Sequence, residues 1–224
     1  VRNIVIHCSK CQAFNLIQKP RHATITTDAP HPHDLVQADL MEMPQDLKNY
    51  KYILVVIYTF HGFVVLHPLY SKHAKSVHAA LARTFLNFGP PQRLLTDAGS
   101  EFQNSLIAQL CNKFGIQQHF GAPYHHETTG IVERSNRTIR SIVNKMAGEN
   151  SDHWSAILMH VQFAMNNSPH RRTGVTPYSL MFGQLANIKP YFKHIVPLSS
   201  SDLDSFHEDL LIRRNMFADH VLPA

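Results

Sequence analysis

Three short stretches after residue 33 carry the apolar patterns of β-strands. "HDLVQADL" (33–40) alternates apolar and polar positions, which is typical of a strand with one buried face. "KYILVVIY" (51–58) is apolar almost throughout, and this predicts a central strand that is buried on both faces. "HGFVVLHPL" (61–69) follows after a turn. We therefore predict three adjacent strands, the last two of which form a hairpin.

The pattern then changes to a helical period and alternates between helix and strand. Residues 71–88 predict a helix, with Val77, Leu81, Phe85 and Phe88 on one face. "QRLLTD" (92–97) and "IQQHF" (116–120) predict two further strands. Between them, residues 100–115 predict a helix with Ser100 and Gln103 in capping-box register. Its predicted apolar face consists of Phe102, Leu106, Leu110 and Phe114.

Two more helices are predicted, at about 129–147 and about 152–167. The apolar face of the first is Val132, Ile139, Val143 and Met146, and that of the second is Trp154, Ile157, Leu158 and Val161. A loop-rich region follows residue 168, and residues 199–224 resemble one further amphipathic helix. The order β-β-β-α-β-α-β-α-α indicates an α/β fold, a mixed sheet with helices on its faces.

Composition narrows the functional classes only slightly. Lys and Arg total 21 against 16 Asp and Glu, and the resulting charge of +5 favours polyanionic partners. The three cysteines are an odd number, which is typical of a reducing compartment. We expect no membrane span and no secretion, because no apolar run approaches the length of a span and no basic-then-apolar leader is present. The chain begins with Val, so we expect it to be a piece of a longer product.

Three acidic residues lie at positions where the predicted elements could bring their carboxylates together. Asp39 lies in the first strand, Asp97 ends the fourth, and Glu133 lies in the first turns of a helix. We expect the strand that ends at Asp97 to run next to the first strand. Two carboxylates from strands would then meet a third from a helix, and such a cluster can hold hard divalent cations for phosphoryl transfer. Two of these residues also have a structural interpretation. Asp97 is a typical turn former, and Glu133 is an acid favoured near a helix N-terminus.

The spacing of these acids resembles the D,D-35-E signature of retroviral and retrotransposon integrases, with 35 residues between Asp97 and Glu133. "LLTDAGSEF", "YHHETTGIVERSNRTIRSIV" and "HWSAILMHVQFAMNNSPHRRTGVTPYSLMFG" resemble the family in the same order. "HCSKCQ" (7–12) resembles the Cys half of the integrase zinc module. The resemblance covers about residues 7–192 and is greatest to the gypsy-class retrotransposon integrases.

The resemblance implies an RNase H-like fold with a five-stranded mixed sheet flanked by helices. It implies three segments: a zinc-module remnant and linker (1–33), the catalytic core with its helical C-terminal part (34–192), and a loop and helical tail (193–224). It further implies that Asp39, Asp97 and Glu133 are catalytic and bind two Mg²⁺ or Mn²⁺ ions. Four residues of the Glu133 helix are expected to bind DNA: Arg134, Asn136, Arg137 and Arg140.

The implied function is DNA integration by a polynucleotidyl transferase and endonuclease. The enzyme would cut element DNA ends and join their 3′-hydroxyls to target DNA. The expected partners are double-stranded DNA and further copies of the chain, in the nucleus, with a cytoplasmic stage before import. Cys8 and Cys11 supply half of a zinc site, so zinc is expected only if a His pair is supplied upstream.

Two other functions remain open. His126, Glu127 and Thr129 replace the Pro, Gln and Asn that the family has before its catalytic glutamate. This altered loop is compatible with a catalytically inactive, retroelement-derived module that binds nucleic acid or protein. A cellular RNase H-type nuclease would explain the three acids, but it would not explain "HCSKCQ" or the region after residue 150.

Overall fold

The computed structural model describes residues 29–121, 126–147, 153–169 and 174–187, and for residues 126–131, 133 and 147 it describes only the backbone. The predicted zinc-module cysteines, the predicted helix at 199–224 and most of both terminal segments lie outside these ranges. Within the described part of the chain, no helix combines the length and the apolar character that crossing a membrane requires.

A five-stranded mixed sheet forms the centre of the molecule, with the order β3-β2-β1-β4-β5. Its strands are β1 (Leu35–Glu42), β2 (Tyr52–Tyr58), β3 (Phe63–Leu69), β4 (Arg93–Thr96) and β5 (Gln117–Phe120). β2 is antiparallel to both of its neighbours, β1 and β3, whereas β4 runs parallel to β1, and β5 runs parallel to β4. The predicted hairpin and the predicted mixed sheet are therefore confirmed.

Five helices accompany the sheet in the described residues. They are α1 (Ala74–Phe88), α2 (Ser105–Phe114), α3 (His126–Ala147), α4 (Trp154–Asn166) and α5 (Pro177–Phe182). The predicted order of elements is confirmed up to α4. The short α5 was not predicted, although its signals are present: the Thr176 side chain accepts a hydrogen bond from the backbone N–H of Ser179, Pro177 is the first helical residue, and Gly183 ends the helix.

Side chains on the two faces of the sheet form two separate apolar clusters. On one face, Val36, Leu54 and Val56 pack with buried residues of α1 and α2. On the other face, Met41, Ile53 and Val55 pack with buried residues of α3 and α4. This alternation along β1 and β2 follows from the period of two that a strand imposes. It also places Asp39, two residues before Met41, on the α3 side.

Four details of the helix predictions were wrong. Asn104, not Ser100, caps α2, because its side chain accepts a hydrogen bond from the backbone N–H of Ile107 at 3.0 Å. The buried face of α2 is correspondingly Ile107, Leu110 and Cys111. α3 begins at His126 rather than near 129, and Met146 is 46% exposed instead of buried because it lies in the last turn of α3.

Candidate active site

The register between β1 and β4 brings two of the predicted acids to the same level of the sheet. The parallel pairs are Leu35 with Arg93, Val36 with Leu94, and Gln37 with Leu95. Extending this register by two residues sets Asp39 opposite Asp97. Neighbouring strands lie about 5 Å apart, so the two backbones are adjacent at this point. Asp39 therefore lies in the second half of β1, beside the point where Asp97 directly follows the end of the parallel strand β4.

The half-buried Asp39 is held from two sides. Its Oδ1 accepts a hydrogen bond from the backbone N–H of Leu40 at 2.8 Å. Its Oδ2 accepts one from the side-chain amide of Asn136, on α3, at 2.5 Å. Because Asn136 is 97 positions further along the chain, this bond fixes α3 against β1. The bond places a residue predicted to bind DNA directly beside a residue predicted to be catalytic.

Asp97 is a turn former as well as a neighbour of Asp39. Its Oδ1 accepts a hydrogen bond from the backbone N–H of Gly99 at 3.2 Å. Partial burial raises the pKa of the Asp97 carboxyl, and the charges of Asp39 and Glu101 raise it further, while the Gly99 hydrogen bond opposes the shift. A carboxyl whose pKa is raised by other carboxylates is in a position where a divalent cation would relieve the repulsion.

Glu101 is a neighbour of Asp97 that the sequence did not single out. Its carboxylate lies close against the backbone of Gly99, where an added Cβ would lie 2.8 Å from the Glu101 carboxylate carbon. Glycine at this position therefore permits the close approach of the glutamate. The signal was present in "DAGSEF", but Glu101 follows the strand by several residues, and sequence spacing gave no indication that it would fold back.

Gln37 is a second residue that sequence reasoning missed. It precedes Asp39 by two positions on β1, so it lies on the same face of the sheet, and it is only 1% exposed. Both polar atoms of its side-chain amide are buried, and neither has a hydrogen-bond partner in the described structure. A polar residue inside an apolar strand is a detectable signal, but sequence alone does not reveal that its amide lacks a partner.

Glu133 lies on α3, three residues before Asn136, and only its backbone is described. The structure therefore places the helix turn that carries Glu133 next to the turn that contacts Asp39. Where its carboxylate lies stays a prediction. Among the described side chains, no group of three or more His, Cys, Asp or Glu residues is placed to hold a metal ion. Cys8 and Cys11 lie outside the described residues.

The three predicted DNA-binding arginines share α3 with Glu133, and all three are exposed. Arg140 donates a hydrogen bond from Nη2 to the backbone carbonyl of Glu42, the last residue of β1, at 3.0 Å. Arg134 and Arg137 lie on the same helix without a described side-chain bond to the sheet. α3 therefore follows β1 from Asp39 to Glu42 and brings positive charge to the same end of the sheet as the acids.

Comparison with known proteins decides the family. Residues 29–126 match the model of the integrase core domain. The chain carries an integrase core domain. The matched segment contains β1 to β5, with both Asp39 and Asp97, and it ends at the first residue of α3. The integrase resemblance seen in the sequence is thus confirmed.

The curated relatives are much longer polyproteins. The chain is 29% identical over 174 residues (77% of the chain) to a retrovirus-related Pol polyprotein from transposon 412 of Drosophila melanogaster. It is 32% identical over 164 residues (73% of the chain) to a Pro-Pol polyprotein of simian foamy virus type 1. In each case the chain spans only 14% of the relative.

Solved structures show the same fold. A chain of the simian T-cell lymphotropic virus intasome, in complex with the PP2A regulatory subunit B56 gamma, superposes with a TM-score of 0.65 at 19% identity, covering 80% of this chain and 65% of that one. The HTLV-2 integrase catalytic core domain in complex with magnesium (trimeric form) gives 0.59 at 20% identity, covering 69% of this chain and 99% of that one. The five-stranded sheet with flanking helices is the RNase H-like fold of integrases.

Proposed function

We propose that this chain is the catalytic core of a polynucleotidyl transferase that integrates element DNA. In this function it would cut element DNA ends and join their 3′-hydroxyls to target DNA, as a piece of a retroelement Pol polyprotein. The observation that carries the proposal is the parallel register of β1 and β4, which, extended by two residues, sets Asp39 opposite Asp97 within an integrase core domain. Two adjacent carboxylates can hold the divalent cations that phosphodiester cleavage and joining require.

The donor set fits Mg²⁺ or Mn²⁺. Asp39 and Asp97 supply hard oxygen ligands, and the hydrogen bond to Gly99 uses only one oxygen of Asp97. Glu133 lies one helical turn before Asn136, which contacts Asp39, and residues three apart share a helix face. This spacing supports Glu133 as the third ligand. When bound, the cations would supply charge neutralisation and Lewis acidity at the scissile phosphate.

The residues around the acids would position the reactants. Asn136 would hold the Asp39 carboxylate in one orientation through its amide donor. Arg134, Arg137 and Arg140 would contact DNA phosphates from α3, since guanidinium groups form bidentate hydrogen bonds with phosphate oxygens. Zinc would be bound through Cys8 and Cys11 only if a His pair is supplied upstream.

The proposed partner is double-stranded DNA, both the element ends and the target. We also propose that the chain acts as a homo-oligomer, since the compared HTLV-2 catalytic core is described in trimeric and dimeric forms. An enzyme acting on chromosomal DNA would work in the nucleus after a cytoplasmic stage. None of these proposals requires secretion.

A disintegration assay would test the proposed activity most directly. The reaction reverses strand joining on a branched DNA substrate, with Mg²⁺ or Mn²⁺, and wild type is compared with Glu133→Gln and Asp97→Asn. We expect both substitutions to abolish product, because each replaces a negatively charged ligand by a neutral amide. The exposed Glu42, at the end of β1, provides a matched control, since Glu42→Gln should keep activity.

The outcomes separate the enzyme from a binding module. Full activity of Glu133→Gln would contradict the three-carboxylate assignment. A wild-type protein that gives no product with either cation, with circular dichroism showing an intact fold, would instead identify a catalytically inactive binding module.

A further inference from the structure

A pair of stacked tyrosines forms a second surface feature at the end of the sheet where β1 ends and β2 begins. The rings of Tyr50 and Tyr70 lie 4.1 Å apart between centroids and 15° from parallel. Tyr70 is 60% exposed even though one neighbour covers part of it. We call this pair, with the exposed Lys48, Lys51 and Lys72 around it, the tyrosine platform.

The platform is held rigidly from below by the loop that joins β1 to β2. The buried Asp46 accepts hydrogen bonds at Oδ1 from the backbone N–H groups of Lys48 and Tyr50, at 3.0 and 2.8 Å. The fully buried Trp154 packs edge-on against the Tyr50 ring at 6.4 Å and donates its indole N–H to the carbonyl of Pro44. The loop therefore presents Tyr50 in one fixed position.

The neutral state of Tyr50 is also favoured. A hydrogen bond with Tyr70, together with burial and the nearby Asp46, raises the pKa of the Tyr50 hydroxyl above its ordinary value. An uncharged aromatic pair does not repel a phosphodiester backbone. The positive charge around it comes from the lysines.

Lysine positions follow from the strand register. Tyr52 pairs with Leu69, so the preceding Lys51 lies opposite Tyr70, which directly follows the edge strand β3. Lys48 lies in the loop whose backbone N–H groups are hydrogen-bonded to Asp46, and Lys72 follows Tyr70 by two residues. Lysine beside an exposed aromatic ring is the combination that binds a single nucleic-acid strand, because the cations contact phosphates while the ring stacks on a base.

The platform lies on the same side of the molecule as the acids. Tyr50 packs against the apolar cluster under α3 and α4, and Asp39 faces the same helix layer. Glu42 lies between the platform and Asp39. Its backbone carbonyl accepts a hydrogen bond from Arg140, and it pairs with Tyr52 across the sheet. The separation from Asp39 is on the order of 15 Å, from three residues along β1 and two strands across. One DNA strand spans this distance in about four or five nucleotides.

We propose that the tyrosine platform binds the DNA substrate a few nucleotides from the acids, with Tyr70 stacked on an unpaired base and the lysines on flanking phosphates. The inference rests on the proposed function for the identity of its occupant. A base within an intact duplex is already stacked on its neighbours, so the platform selects a frayed or overhanging strand rather than a closed duplex.

Equilibrium binding without divalent cation tests the platform separately from catalysis. The 224-residue chain is titrated, by fluorescence anisotropy in EDTA, into a labelled blunt duplex and the same duplex with a short single-stranded overhang. We expect Tyr70→Ala to weaken binding of the overhang DNA at least about fivefold, and of the blunt duplex less. Tyr70→Phe keeps the ring and should stay close to wild type.

Salt dependence tests the lysines. Lys51→Ala should weaken both DNAs and reduce the slope of log K against log salt by about 0.7 to 0.9, as expected for one lost phosphate contact. Lys113 provides the matched control. It is equally exposed but lies in the last turn of α2, on the opposite face of the sheet, so Lys113→Ala should leave the slope unchanged.

Two results would overturn the proposal. In the first, circular dichroism shows that Tyr70→Ala is folded, and the variant binds overhang DNA as tightly as wild type. In the second, Tyr70→Ala alters sedimentation but not DNA binding, which would make the platform a contact between copies of the chain. Neither result bears on the acids, whose test is the activity of Glu133→Gln, so failure of one proposal is distinguishable from failure of the other.

Discussion

Asp97 combines two properties that the sequence presented as alternatives. Its side chain forms a turn by accepting the backbone N–H of Gly99, and its position beside Asp39 suits a metal ligand. The two are compatible because a carboxylate has two oxygens and the turn uses one. The turn also orients the carboxylate. The hydrogen bond that is typical of a turn-forming aspartate therefore also orients Asp97 for the proposed metal binding.

The crowding of acids around Asp97 predicts opposite effects of one substitution with and without metal. Without divalent cation, Asp97→Asn should raise the melting temperature slightly, by about 1 °C, because it removes repulsion between carboxylates at a position that solvent partly screens. Its amide oxygen still accepts the Gly99 N–H. With Mg²⁺, the wild type should gain stability by mass action and the variant should gain little. Differential scanning fluorimetry with and without Mg²⁺ measures both effects.

Glu42→Gln is the control for this experiment, since it removes an exposed carboxylate at the end of β1, the strand that carries Asp39. It should keep the full Mg²⁺ effect. Equal stabilisation of wild type and Asp97→Asn by Mg²⁺ would contradict the assignment of Asp97 as a ligand.

At the scale of elements, α4 completes the exposed edge of the sheet. β3 is an edge strand, and an edge leaves backbone groups unpaired. The buried Asn166 side chain accepts the N–H of Val64 and donates to the carbonyl of Val64, both at 2.8 Å. One turn earlier, Gln162 accepts the N–H of Leu66 at 2.8 Å. Two amide side chains thus take the place of a neighbouring strand.

This arrangement predicts a large loss of stability from a single truncation. Asn166→Ala should lower the free energy of unfolding by about 2 to 4 kcal/mol, because it leaves two buried backbone groups without partners. Asn167→Ala is the matched control. Its side chain bonds only the Phe163 carbonyl at an exposed position, so its loss should stay below about 1 kcal/mol. Urea unfolding gives both values, and similar losses for the two variants would exclude the edge-capping role.

At the scale of the whole molecule, two neutral histidines contribute to the response to acid: the buried His61 and the partly buried His67. Burial, with the charge of His33, lowers the pKa of His61 to about 4. Burial, with the charge of Arg83, lowers the pKa of His67 to about 4. The Thr84 hydroxyl donates to the Ala80 carbonyl, so its oxygen accepts from Nε2–H of His67 and fixes the neutral tautomer.

These shifts predict that stability falls as the pH is lowered from about 6.5 towards 4. In that window the unfolded chain binds protons that the folded chain does not, so the free energy of unfolding rises with pH. Between pH 7 and pH 5, each of the two histidines should lower the free energy of unfolding by about 2 kcal/mol. Urea unfolding at both pH values should show a smaller difference for His67→Gln than for wild type. The exposed His160 is the control, and an unchanged difference in His67→Gln would refute its role.

The sequence by itself determined the secondary structure of the core and the identity of the acids. Period-two and period-3.6 patterns are local, since each strand or helix must bury its own apolar face, and they located β1 to β5 and α1 to α4. The ordered motifs around Asp39, Asp97 and Glu133 identified the family. Cap positions were less accurate, because Ser100 and Asn104 are both good caps and local sequence alone did not separate them.

Only the tertiary structure decided which distant residues meet. The register that sets Asp39 beside Asp97, and the bond that ties Asn136 to Asp39, join segments separated by 58 and 97 positions. Packing likewise joined Tyr50 to Tyr70 and buried the amide of Gln37. The physical reason is that long-range pairing depends on how whole faces fit together across the sheet, and no local pattern of the chain encodes that fit.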